Sequence, residues 1–78
     1  MYSISGQITD AATGAGIENA TVVIGQRFAL TNQHGFYTIT DVPGGTLRIT
    51  VLQRYYQKFE SLVDIDGNLA INIQLTRE

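Results

Sequence analysis

Residues 31–39 read TNQHGFYTI, and the fold turns on how that stretch is taken. Apolar and polar residues alternate from Phe36 to Ile39, the period of a strand with one buried face. Before them stands a polar triplet closed by Gly35, a residue that reaches positive φ at little steric cost. The stretch therefore predicts a tight hairpin between strands Arg27–Thr31 and Phe36–Thr40, with Tyr37 and Ile39 supplying core bulk. The competing reading is a site in which His34, the single histidine, does chemistry. General-base work needs a nucleophile or acid within hydrogen-bond reach, and a metal needs several converging donors. With no cysteine and no second histidine in the chain, His34 is assigned to an exposed turn and to no metal or catalytic role.

The same alternation runs outward in both directions. Tyr2–Thr9 turns Ile4, Gly6 and Ile8 to one side, and Asn19–Gly25 turns Ala20, Val22 and Ile24 the same way. Thr46–Leu52 carries Leu47, Ile49 and Val51 inward, the bulkier and less regular QRYYQKF leads into a strand at Phe59–Asp66, and Leu69–Thr76 aligns Leu69, Ile71, Ile73 and Leu75. Between these runs, Asp10–Gly16 (DAATGAG), Asp41–Gly45 (DVPGG) and Asp66-Gly67-Asn68 read as turns, the last as a hairpin. No segment carries an apolar i, i+3, i+4 pattern of useful length. About seven short strands at a spacing of roughly 8 to 12 residues predict an all-β, small antiparallel seven-stranded β-sandwich occupying residues 1–78 as one domain.

Composition narrows the function classes. With 78 residues, only about 60 to 65% of the unfolded chain's surface can be hidden. No disulfide can reinforce so thin a core. Net charge is −2, and the five basic residues are scattered, not gathered into the stripe of a nucleic-acid binder. No apolar run reaches the roughly 18 residues of a membrane span, and MYSISGQ lacks the features of a signal peptide. The expected state in isolation is a monomer without cofactor, with edge strands prone to associate at high concentration.

The order of these segments resembles the carboxypeptidase regulatory-like family of transthyretin-like (prealbumin-like) Greek-key sandwiches. The resemblance rests on Gly6, Ile8, Asp10, Thr13, Gly14, Ile17, Ala20 and Val22, followed by Thr31, Gly35, Tyr37, Val42, Pro43, Gly45, Leu47, Ile49 and Val51. GIENATVVI and the closing IQLTR are most similar to the domain that follows the catalytic unit in N/E-type metallocarboxypeptidases. The resemblance implies a non-catalytic accessory module of an extracellular or periplasmic protein. Its host would be a metallocarboxypeptidase or a TonB-dependent outer-membrane transporter, and its role folding, docking or spacing. One departure matters: the family's Gly-Tyr-x-Pro is Tyr55-Tyr56-Gln57-Lys58 here, which loses both turn-forming residues. Tyr56 takes the family's buried tyrosine place and Tyr55 then faces the other way.

Arg54, Tyr55, Lys58 and Phe59 form the candidate interaction surface, an exposed aromatic flanked by basic groups and suited to a neighbouring domain, a carbohydrate or a peptide. Other chemistries fit poorly. The related 5-hydroxyisourate hydrolases carry several histidines and a C-terminal Tyr-Arg-Gly-Ser, whereas this chain ends LTRE. A calcium loop opening at Asp64 would need glutamate at its twelfth place, which is Leu75. An isopeptide cross-link would need an early lysine, and the one lysine is Lys58. Asn19-Ala20-Thr21 is a glycosylation triplet, meaningful only in a secreted eukaryotic protein.

Overall fold

A computed structural model of residues 1–78 contains strands and turns and no helix. The strands are β1 (Tyr2–Asp10), β2 (Thr21–Ile24), β3 (Arg27–Leu30), β4 (Phe36–Val42), β5 (Gly45–Leu52), β6 (Phe59–Ile65), β7 (Leu69–Ala70) and β8 (Ile73–Leu75). They build two facing sheets. In one, β1 lies between β4 and the C-terminal pair β7 and β8; in the other the order is β3-β2-β5-β6. Between them sit Ile4, Ile8, Val22, Ile24, Tyr37, Ile39, Val42, Ile49, Val51, Ile65, Ile73 and Leu75, joined by Ile17 and Ala20 from the β1–β2 connection. The period-two reading placed all of these side chains inward except Ile17, Val42 and Ile65, and the predicted sandwich is the architecture found.

The corners differ from the sequence reading. NQHG is not a hairpin, because β3 pairs with β2 whereas β4 pairs with β1. The segment carries the chain from one sheet to the other. Asn32 organises the corner: its side-chain oxygen accepts from the amides of His34 and Phe36 at 2.9 and 3.0 Å. Gly35, at φ 85°, is packed so tightly that a methyl group there would strike the Ile8 carbonyl. His34 is exposed, as expected. Asp66–Asn68 is likewise a crossover and no hairpin, since β6 pairs with β5 and β7 with β1. The true two-residue hairpin is Gly25-Gln26, where Ile24 faces Arg27 across the turn and Gly25 takes φ 58°.

The C-terminal ribbon, read as one strand, is two. It runs parallel to β1, pairing Ile4 with Leu69 and Ile8 with Ile73, so this sheet is mixed. Where the ladder breaks, side chains replace backbone acceptors: Asn68 Oδ1 takes the Ser3 amide at 2.8 Å and Asn72 Oδ1 takes the Gln7 amide at 3.0 Å. The Ile71 carbonyl, freed between β7 and β8, accepts from the buried Tyr37 hydroxyl at 2.7 Å. Burial pushes that phenol up to about 12. Gly6 permits the approach, because a side chain there would collide with the same carbonyl.

Candidate functional site

The aromatic and basic segment after β5 is divided by a backbone turn. Tyr55, standing where the family pattern has glycine, adopts φ 73°. A tyrosine in the left-handed region costs roughly 1–2 kcal/mol, so the contacts around it must hold the conformation. Those contacts come from the C-terminus: the Gln57 amide donates to the Thr76 carbonyl at 2.8 Å, and the Glu78 amide donates to the Tyr55 carbonyl at 3.0 Å. The turn throws the Tyr55 ring outward, 69% exposed, with the Arg54 guanidinium 5.3 Å from its centroid.

Tyr56 points the other way and anchors the segment. Its hydroxyl donates to Asp10 Oδ2 at 2.7 Å, and Arg77 Nε donates to the same oxygen at 3.0 Å. Asp10 Oδ1 accepts from the amides of Ala12 and Thr13 at 2.7 and 3.2 Å, closing the DAATG turn. Asp10 is only 3% exposed. The Tyr56 hydroxyl, the Ala12 amide and Arg77 hold its carboxyl down at about 2. These residues bind the β5–β6 connection and the C-terminal segment to the β1–β2 turn. They are a structural latch that the sequence reading did not identify, although Asp10 and Tyr56 were among the positions that carried the family resemblance.

The four candidate surface residues do not share one face. Phe59 is half-buried, directly opposite the core residue Val51. Lys58 is exposed, with Nζ 3.5 Å from Glu60. Arg54 and Lys58 line an open cleft of about 310 Å³ together with Asn19, Thr21, Leu52 and Gln53. The lining offers amide and cationic groups above the Tyr56 ring, a polar surface that meets a more apolar one at Thr21 and Leu52.

That second surface is the outer face of the β3-β2-β5-β6 sheet. Register sets its rows. Leu30, Thr21 and Leu52 stand side by side, as do Phe28, Val23 and Thr50, while Leu62 lies beside Arg48. Phe28 is 68% exposed, Leu62 65% and Leu30 57%. Scattered exposed apolar residues are ordinary; here they stand in adjoining rows on one face. Sequence reasoning missed this face. A signal was present: Val23 and Leu52 fall on the opposite parity to the inward sets Val22/Ile24 and Ile49/Val51.

His34 has no acidic or nucleophilic partner in hydrogen-bond reach; its ring Nε2 lies 3.3 Å from the Gln33 side-chain nitrogen. Asp64 accepts from the Thr46 hydroxyl at 2.7 Å on the exposed side of β5 and β6.

Comparison with known proteins places this geometry. The sequence pattern described as the carboxypeptidase regulatory-like domain matches residues 3–76. No curated protein sequence matches the chain. Among solved structures, one chain of a type II cohesin–X–dockerin complex from Acetivibrio cellulolyticus superposes with TM-score 0.81 and 24% identity over 94% of this chain. This chain spans 53% of that one. The 5-hydroxyisourate hydrolase of Klebsiella pneumoniae superposes with TM-score 0.78 and 16% identity, covering 100% of this chain and 92% of the hydrolase. At such identities these likenesses show a shared fold and nothing of shared chemistry.

Proposed function

From the premise that this chain belongs to the carboxypeptidase regulatory-like domain family, we propose that it is a non-catalytic docking module of a larger extracellular or cell-envelope protein. The observation that carries this reading is the apolar outer face of the β3-β2-β5-β6 sheet, with Phe28, Leu30, Val23 and Leu52 in adjoining rows. At a strand spacing of about 4.8 Å and a rise of about 3.3 Å per residue, the rows cover on the order of 300 Å². That suits one side of a contact between domains of a single polypeptide, about 600–1,500 Å² over both sides. It falls well short of the roughly 800 Å² per partner of a complex between free proteins. The proposed occupant is therefore a tethered neighbouring domain, as in a metallocarboxypeptidase or an outer-membrane transporter.

Methyl signals of Val23, Leu30, Leu52 and Leu62, recorded with a soluble paramagnetic agent, test the idea. They are expected to broaden strongly in the isolated domain and to be shielded within the parent polypeptide. Equal broadening in both would refute it. The polar cleft favours a second reading, carbohydrate or peptide binding by Arg54 and Lys58. Saturable amide shifts confined to Asn19 and Gln53–Lys58 on titration with glycans or peptides would support that reading against the first.

A further inference from the structure

One backbone edge of the sandwich is long and uncovered. β6 runs from Phe59 to Ile65, pairs only with β5 and ends the sheet order β3-β2-β5-β6. On the opposite flank β3 and β4 lie side by side and close the sandwich. Unpaired amide and carbonyl groups along such an edge form a template for another strand, and proteins usually blunt it with charge. β6 is flanked and punctuated by Lys58, Glu60 and Asp64, all exposed. Their pattern does not repel a second copy. Lys58 and Asp64 have opposite signs and stand equally far on either side of Ser61.

We infer that β6 is a self-recognition edge, at which two copies of this chain pair antiparallel about a two-fold axis through Ser61. In that register Lys58 lies opposite the partner's Asp64, Phe59 opposite the partner's Val63, and Glu60 opposite the partner's Leu62. The first pair is an ion pair formed twice by symmetry. The second joins two half-buried apolar side chains on the core side, which carries the interior across the junction. Registers centred further toward the C-terminus of β6 fail on charge. Centring on Leu62 sets Glu60 against the partner's Asp64, and centring on Val63 sets it against the partner's Asp66, both between like charges. A slip of one residue exchanges the two faces of one copy.

The groups at this edge are arranged for the pairing. Glu60 has two cations, Arg48 at 3.9 Å and Lys58 at 3.5 Å, so it keeps Arg48 when Lys58 turns to the partner. Thr46 donates to Asp64 Oδ1, which leaves Oδ2 for the incoming lysine. Seven residues at about 3.3 Å each, across a sandwich 16 Å deep, give a footprint of roughly 370 Å² per copy. That is about half of what a stable free complex buries. The pairing is therefore weak, with a dissociation constant on the order of 10⁻⁴ M, and dilute samples stay monomeric. This edge is distinct from the apolar face, and the inference stands whether or not that face is covered.

Sedimentation equilibrium of the whole chain at low salt, from about 10 µM to 2 mM, is the test. The wild type is expected to dimerise, and Lys58→Asp or Asp64→Lys alone to weaken the dimer about tenfold. The double variant Lys58→Asp/Asp64→Lys restores the dimer to near wild-type strength. Phe28→Ser leaves it unchanged. Amide exchange supplies a readout independent of variants, because the amides of β6 that face the open edge slow as concentration rises. A monomer throughout the range, a dimer indifferent to both charge reversals, or one lost with Phe28→Ser would each overturn the inference.

Discussion

Replacing Thr31 by valine isolates the interaction that lets the chain cross between sheets. Thr31 is buried, and its hydroxyl serves two backbone groups: Oγ1 accepts from the Ala20 amide at 2.8 Å and donates to the Ile17 carbonyl at 2.6 Å. The backbone adds two more ties, Thr31 amide to Ala20 carbonyl and Asn19 amide to Thr31 carbonyl. Together they hold the Glu18-Asn19 turn, where Asn19 sits at φ 61°, against the start of the NQHG corner. Valine preserves the shape and the backbone ties but removes both side-chain bonds. Two buried polar groups lose partners at about 1–3 kcal/mol each, and the added methyl returns somewhat under 1 kcal/mol. The expected net loss is roughly 1–5 kcal/mol.

That is a large fraction of the roughly 4–12 kcal/mol expected for a domain of this length. At about 4–8 °C per kcal/mol, a loss of about 3 kcal/mol, the middle of the expected range, lowers Tm by roughly 10 °C or more. Thr31→Ser makes the opposite exchange, keeping the hydroxyl and losing a methyl, for about 0.5–1.5 kcal/mol. Urea unfolding followed by far-ultraviolet circular dichroism ranks the two. If the serine variant proved less stable than the valine variant, packing and not hydrogen bonding would dominate at this corner, and the reasoning would be wrong.

Two of the loop glycines predict a graded response. Gly14 and Gly35 both take positive φ, but only Gly35 is crowded, so Gly35→Ala should lower the urea midpoint at least twice as far as Gly14→Ala. Asp10 predicts an acid slope. Its folded-state pKa, about 2, lies below the ordinary value of 3.8. Its contribution is therefore complete above about pH 4 and is lost as pH falls toward 2. Asp10→Asn should be less stable at pH 7 and flatter between pH 4 and 2 in the same unfolding assay. Phe28→Ser with Leu30→Ser changes exposed side chains only and should move stability by no more than about 0.5 kcal/mol, while removing the shielding of the outer face within the parent polypeptide.

What could be read in the sequence was whatever is local. Parity along a strand is fixed by neighbouring residues, so Ile4, Val22, Tyr37, Ile49 and Leu75 could each be sent inward without knowing what they meet. Strand partnership is not local. A hairpin and a crossover both require a polar turn with glycine at positive φ, and NQHG satisfies either; only the pairing of Phe36–Val42 with Tyr2–Asp10 distinguishes them. Asp66–Asn68 misleads in the same way. The outer apolar face needed register as well, because Phe28 and Leu30 acquire a common surface with Val23 and Leu52 only through rows spanning three strands. At Arg54–Phe59 the alternation itself breaks, since the left-handed Tyr55 resets which side each later residue faces.

How the polar groups are used bears on function more than the fold does. Every buried side-chain nitrogen and oxygen in the chain has a hydrogen-bond partner. Asp10 serves the latch, Thr31 the corner and Tyr37 the gap between β7 and β8. A site poised for chemistry withholds some donor or charge from the fold, with its pKa tuned toward the reaction. Here the two strongly shifted side chains, Asp10 at about 2 and Tyr37 at about 12, have been moved away from neutral pH by contacts that serve the architecture. The surfaces proposed for binding accordingly lie outside the core, on an apolar sheet face, a polar cleft and a bare strand edge. Those are features by which a small rigid sandwich recognises other protein surfaces, and they give the docking reading its physical support.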